Sequence, residues 1–214
     1  LVGAVLLSAC SSSSDGTPDP QLVSALQNLT SDPTGVTTVL TFSQAPPTLT
    51  ASQFESDGGQ IAQSATPAGN TYVVTWDDRV TPTHQVRVTG AENVAATFVG
   101  VTTSDSSAPT FSVSSASVTS SWGGDTINVQ FSGPNVVATG AEDPTNWQLR
   151  VSGLDIPLSA SSFLFNDVAQ TLQITTDATA NVHSSFELIA SGLVSVADVA
   201  MPADPIAGTA TGDA

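Results

Sequence analysis

The chain contains one stretch twice. Residues 20–43, PQLVSALQNLTSDPTGVTTVLTFS, align without a gap on residues 109–132, PTFSVSSASVTSSWGGDTINVQFS. Pro20 falls on Pro109, Leu22 on Phe111, Leu29 on Val118 and Gly35 on Gly124. Further along, Leu40 falls on Val129 and Phe42-Ser43 on Phe131-Ser132. A period of roughly ninety residues is too long for a solenoid unit and suits a whole small domain. The 214 residues therefore divide into two tandem modules, each long enough to enclose a core.

Both modules read as all-β. Val36 to Phe42 is rich in β-branched residues, with Leu40 and Phe42 at period two, and Ala45-Pro46-Pro47 ends it. A run through Phe54 follows, then the turn signal Asp57-Gly58-Gly59. Tyr72, Val74 and Trp76 share one face of the next strand, and His84, Val86 and Val88 one face of another. Val94 to Val101 reads as the closing strand. The second module repeats this order. Trp147, Leu149 and Val151 begin near where Phe54 would fall, and Leu172 and Ile174 answer Tyr72 and Val74. Phe186, Leu188 and Ala190 answer His84, Val86 and Val88, and Val194, Val196 and Val199 lie in the last run. No window shows a capped 3.6-residue period. Short strands with a turn about every ten residues predict antiparallel β-sandwiches over 20–104 and 109–207, joined by the polar linker TSDSSAP.

Charge narrows the partners. Nineteen acids, three arginines and no lysine give a formal net charge of −16. Such a surface offers no basic patch to release counterions, which argues against nucleic acid. The single cysteine excludes a disulfide within the chain and any cysteine-based zinc site.

Residues 1–10, LVGAVLLSAC, form an apolar run the length of a signal-peptide core, too short to span a bilayer. Leu7-Ser8-Ala9-Cys10 resembles the lipobox of bacterial lipoproteins: an aliphatic residue, two small ones, then the cysteine that is lipidated. The resemblance implies cleavage after residue 9, lipid attachment at Cys10 and a membrane partner reached through that lipid. The sequence shows neither initiator Met nor a basic stretch before this run, and so reads as starting inside the signal. SSSSDGTPDP has almost no apolar side chains to offset its ordering entropy, which makes 10–19 a flexible tether.

The strand order carries a second resemblance. A strand ending in Phe-Ser, a Pro-containing turn, a Thr/Ser-x-aromatic start and two alternating strands, the second ending in Gly, look like the bacterial Ig-like domains of S-layer and large surface proteins (the SbsA-like type). Thr38 to Pro46 and Ile127 to Pro134 carry most of it. It implies an Ig-like sandwich at the cell surface or outer membrane and supplies no common catalytic residues.

No reaction is legible. There is no Gly-x-Ser-x-Gly elbow, His84 is in phase with core valines, and His183 sits in a polar turn. Asp77-Asp78 and Glu142-Asp143 lack the spaced pattern of a dedicated calcium loop and read as turn chemistry. Asp78, Asp105 and Asp125 are the candidates for bridging Ca²⁺ near the linker. Trp76 and Trp147 are in phase with the core, whereas Trp122, in a Ser/Gly turn, is the candidate for stacking on a glycan ring. The expectation is a non-catalytic, lipid-anchored envelope protein whose modules serve as a structural spacer or adhesive stalk, with other surface proteins or glycans as partners. The alternative is a set of accessory or carbohydrate-binding modules belonging to a longer enzyme or adhesin.

Overall fold

The computed structural model describes residues 18–118, 124–177, 182 and 185–212. In the first module the period-two runs become β1 (Leu22–Gln27), β2 (Thr37–Phe42), β3 (Phe54–Ser56), β4 (Ala62–Ala68), β5 (Thr71–Trp76), β6 (Gln85–Val88) and β7 (Val99–Thr103). The second contains β8 (Thr110–Val118), β9 (Thr126–Ser132), a four-residue helix α1 (Ala138–Ala141), β10 (Trp147–Val151) and β11 (Leu154–Ile156). It continues with β12 (Ser162–Asn166), β13 (Thr171–Thr175), β14 (Phe186–Ala190), β15 (Ile206–Gly208) and β16 (Thr211–Gly212). The fold is all-β, and among the described residues no helix is long and apolar enough to cross a membrane.

Each module folds its strands over its own core. In the first, β1, β2, β5 and β4 face β3 and β6, and Leu40, Phe42, Tyr72, Val74, Trp76, Val86 and Val88 are buried between them. In the second, β12-β13-β9-β8-β16 faces β11-β10-β14-β15 over Ile127, Val129, Phe131, Trp147, Leu149, Leu172 and Leu188. No strand of one module pairs with a strand of the other among the described residues.

The cross-strand register shows that the two modules repeat one topology. Leu40 lies opposite Tyr72 as Val129 lies opposite Leu172, and Phe54 opposite Val88 as Trp147 lies opposite Ala190. The closing strand serves both sheets of its module. Residues 99 and 100 pair with β6, after which β7 crosses over and runs parallel to β1. In the second module this strand is split: β15 pairs with β14, and β16 runs parallel to β8.

Two corrections follow. The last strand pairing of the second module reaches Gly212, past the expected end at 207. The run Val194 to Val199 is no closing strand. It is a hook, held by isolated bridges Val136↔Ser195 and Val194↔Ala200, with Asp198 at positive φ as its tip. Val196 is buried and Val194 and Val199 are half-buried on a tight bend, which mimics the period of a strand. Sequence reading also passed over β4, AQSATPA, an edge strand exposed along most of its length and so without a burial period. Pro67 is tolerated there because an edge strand has no second neighbour to receive its missing N–H.

The glycine shared by the repeat is required twice for different reasons. Gly35 has φ +76°, and a Cβ on it would lie 2.5 Å from Gln27 Nε2. A Cβ on Gly124 would lie 1.2 Å from the Thr176 carbonyl oxygen, a backbone atom that cannot move aside.

Candidate functional site at the module junction

The sequence predicts a linker and little else between the modules. The structure instead locks them. The linker is first tied to the first module: Ser104 N donates to Gln27 O at 3.0 Å, and Leu29 N donates to Ser104 Oγ at 2.9 Å. Asp105 Oδ1 accepts from Ser107 N and Oγ at 2.9 and 2.6 Å, closing a tight turn. Those two bonds hold the Asp105 carboxyl below the usual carboxylate range.

The hook of the second module then grips the first. Arg79 Nη1 donates to Ser195 O at 3.0 Å, and its Nη2 lies 3.3 Å from Asp198 Oδ1. Thr83 Oγ1 donates to Asp198 Oδ2 at 3.1 Å. Gln27, fully buried at the end of β1, donates from Nε2 to Val196 O at 3.1 Å. Its Oε1 is buried with no hydrogen-bond partner among the described residues. Leu29, Val196 and Ala197 form a small buried cluster of their own, with Val137 and Val199 packed against it. Beside this latch runs a cleft of about 600 Å³, lined by Pro33, Val36, Asp78 and Arg79 on one side and Val136 and Val168 on the other.

The hook explains why these bonds can form. The connection from β14 to β15 is longer than the one from β6 to β7, and the extra chain folds back along residues 135–137. Val196 N donates to Asn135 O, and Ser195 Oγ accepts from the N–H groups of Ala197 and Val199. With the hook's own amides satisfied, the carbonyls of Ser195 and Val196 are turned toward Arg79 and Gln27.

The predicted candidates fare differently. Asp78 is exposed beside the cleft and accepts from Arg79 N at 2.7 Å. Asp105 lies in the linker turn. Asp125 is not near them: it is 1% exposed and accepts from Val182 N at 2.6 Å, at the opposite end of β8. The nine-residue strand β8 separates that end from the linker, its eight steps spanning about 26 Å at ~3.3 Å each. The idea that Asp125 approaches Asp105 is therefore corrected. Among the described residues no three His, Cys, Asp or Glu side chains converge on one point.

His84 is half-buried, and its Nδ1 accepts from Thr81 N at 3.2 Å. Trp76 and Trp147 are buried, their Nε1 groups donating to Thr38 Oγ1 and Ala141 O. The acid pairs cap backbone amides: Asp77 accepts from Ile61 N, Glu142 from Phe165 N on the edge of β12, and Asp143 from Thr145 N. Cys10, Trp122 and His183 lie outside the described residues. Sequence reasoning missed Arg79 and Gln27. Arg79 had one usable signal, a rare cation in an acidic chain; Gln27 had none.

No family model matches the chain, and no curated protein matches it. Among solved structures it is similar to the N-terminal part of the bacterial S-layer protein SbsC, at 13% identity and TM-score 0.33, covering 90% of this chain and 44% of that one. It is similar to titin Ig tandem domains at 10% identity and TM-score 0.27, covering 92% and 95%. It is also similar to the group B Streptococcus pullulanase SAP at 9% identity and TM-score 0.33. That match covers 82% of this chain, which spans 23% of the pullulanase.

Proposed function

We propose that the chain is a non-catalytic, lipid-anchored protein of the bacterial cell envelope, and that its two modules act as a stalk with a set elbow angle. The observation that carries the stalk is the latch of Arg79 and Gln27 onto the hook at residues 195–198. A tether between independent beads needs no buried amide and no arginine clamp at the join. The latch fixes the angle at which the second module is presented. The net charge of −16 keeps neighbouring stalks apart by mutual repulsion.

The anchor rests on Leu7-Ser8-Ala9-Cys10 and the polar tether after it. Two or three acyl chains at about 0.8 kcal/mol per buried methylene hold a protein on a membrane. Expression of Cys10→Ser in a bacterial host, followed by membrane fractionation and mass spectrometry, tests it. The wild type should carry a lipid on residue 10, and the variant should leave the membrane fraction. An unmodified Cys10 in membrane-bound protein refutes the anchor.

A further inference from the structure

We infer that the outward face of the sheet β12-β13-β9-β8 in the second module is a binding surface for an uncharged polysaccharide. On a chain of net charge −16, none of the strands β8, β9, β12, β13 and β16 contains an Asp, Glu, Lys, Arg or His. The opposite sheet of the same module carries Arg150, Asp155 and Glu187, with Arg150 in register with both acids. Strands β1, β2, β4 and β5 of the first module are equally free of charge, so the bare sheet is shared by both modules, and what sets this face apart is its row of amides.

The face is covered by hydroxyls and amides in rows. The central row runs Leu164, Gln173, Asn128, Ser115 across four strands. Thr175 and Thr126 flank it on one side, Thr171 and Gln130 on the other. Strands lie about 4.8 Å apart, so hydrogen-bonding groups recur at that spacing along each row. The central amides are already oriented. Gln173 Nε2 donates to Asn128 Oδ1 at 3.2 Å, and Asn128 Nδ2 donates to Ser115 Oγ at 2.8 Å. Among the described residues this relay leaves Gln173 Oε1, the second Asn128 amide hydrogen and the Ser115 hydroxyl hydrogen for a ligand, acceptors and donors side by side. Sugar hydroxyls both donate and accept, so a chain of linked neutral sugars matches the alternation.

Charge chooses among occupants. An anionic polymer is repelled by the chain as a whole, and a cationic one is drawn to the acidic loops. A second copy would need an apolar centre to the interface, and Leu164 is the one large apolar side chain among these rows, at 66% exposed. The corresponding face of the first module pairs Val39 with Val73 in its central row and so lacks the amide relay. It serves as an internal control.

The inference uses the stalk reading only for presentation of this face; binding is tested separately from anchoring. The full chain, in mild detergent, is run in native gels containing a neutral β-glucan, xylan or mannan, with polygalacturonate as the anionic control. At least one neutral polymer should retard the protein, and polygalacturonate should not. Asn128→Asp with Gln173→Glu should weaken retardation about tenfold or more, while Val73→Glu on the first module leaves it unchanged. Should the double variant fail to fold, the single surface change Gln173→Ala reads the same loss. Absence of retardation by every neutral polymer overturns the inference, as does equal retardation of the variants. Self-association in sedimentation that the same substitutions abolish would put a second copy on the face and overturn the glycan. The Cys10→Ser fractionation bears on the anchor alone.

Discussion

Replacing Arg79 by alanine should open the elbow without unfolding either module. Two interactions are lost. The first is the hydrogen bond to Ser195 O, 3.0 Å long and charge-assisted, on a residue with no exposure. A charged hydrogen bond to a buried acceptor contributes about 1.5–3 kcal/mol. The second is the pair with Asp198, whose side chains are 26% and 29% exposed, and which adds about 0.5 kcal/mol at most. Together the change costs the closed junction roughly 1.5–3.5 kcal/mol, raising the open-to-closed ratio about 10- to 400-fold. Spin labels on Ser64 and Ser162, exposed on the outer strands of the two modules, report the separation by pulsed dipolar spectroscopy. The wild type should give a narrow distance distribution and Arg79→Ala a broad one. The control is Arg150→Ala, whose partner Asp155 is in the same module and 63% exposed; it should leave the distribution narrow. A narrow distribution in Arg79→Ala, or equal broadening in the control, refutes the latch.

Phe42 and Phe131, equivalent in the repeat and both buried, should each cost about 3–5 kcal/mol on truncation to alanine, read as a lower midpoint in denaturant melts; an unchanged midpoint means the strand phase is wrong. Gly124→Ala should destabilise far more than Gly35→Ala, because the added methyl meets a backbone carbonyl in the first case and the end of the Gln27 side chain in the second; equal melting of the two variants contradicts this. Acid should weaken the protein through lowered carboxyls: Ser107 holds Asp105 down, Thr145 does the same for Asp143, and at Asp32 burial pushes up but groups of Thr34 and Thr37 outweigh it. A carboxyl lowered on folding contributes stability that is fully present above its unfolded value of about 3.9 and is lost as pH falls through the folded value. The melting temperature of the wild type should drop below about pH 4, and Asp105→Asn with Asp143→Asn should flatten that drop; an unaltered slope rejects the assignment.

The alternation of single strands was local information. Tyr72, Val74 and Trp76 had to share a buried face because side chains alternate along a strand, whatever the strand pairs with. The repeat went further, placing Phe42 and Phe131 in equivalent cores, because both copies solve one packing problem with one pattern. Those regularities determine two all-β modules and most of their interior. What only the tertiary structure decided depends on partners far away in the chain. Val196 looked like a strand residue by its spacing, yet its carbonyl meets Gln27, and the carbonyl of Ser195 meets Arg79. Asp125 reads in sequence as a candidate for bridging Ca²⁺ near the linker, yet it is enclosed and held by Val182. The strand period reports which side of a backbone faces away from water. It does not report what is on that side, so an inter-module hook and a module core leave the same trace in sequence, and only the folded chain separates them.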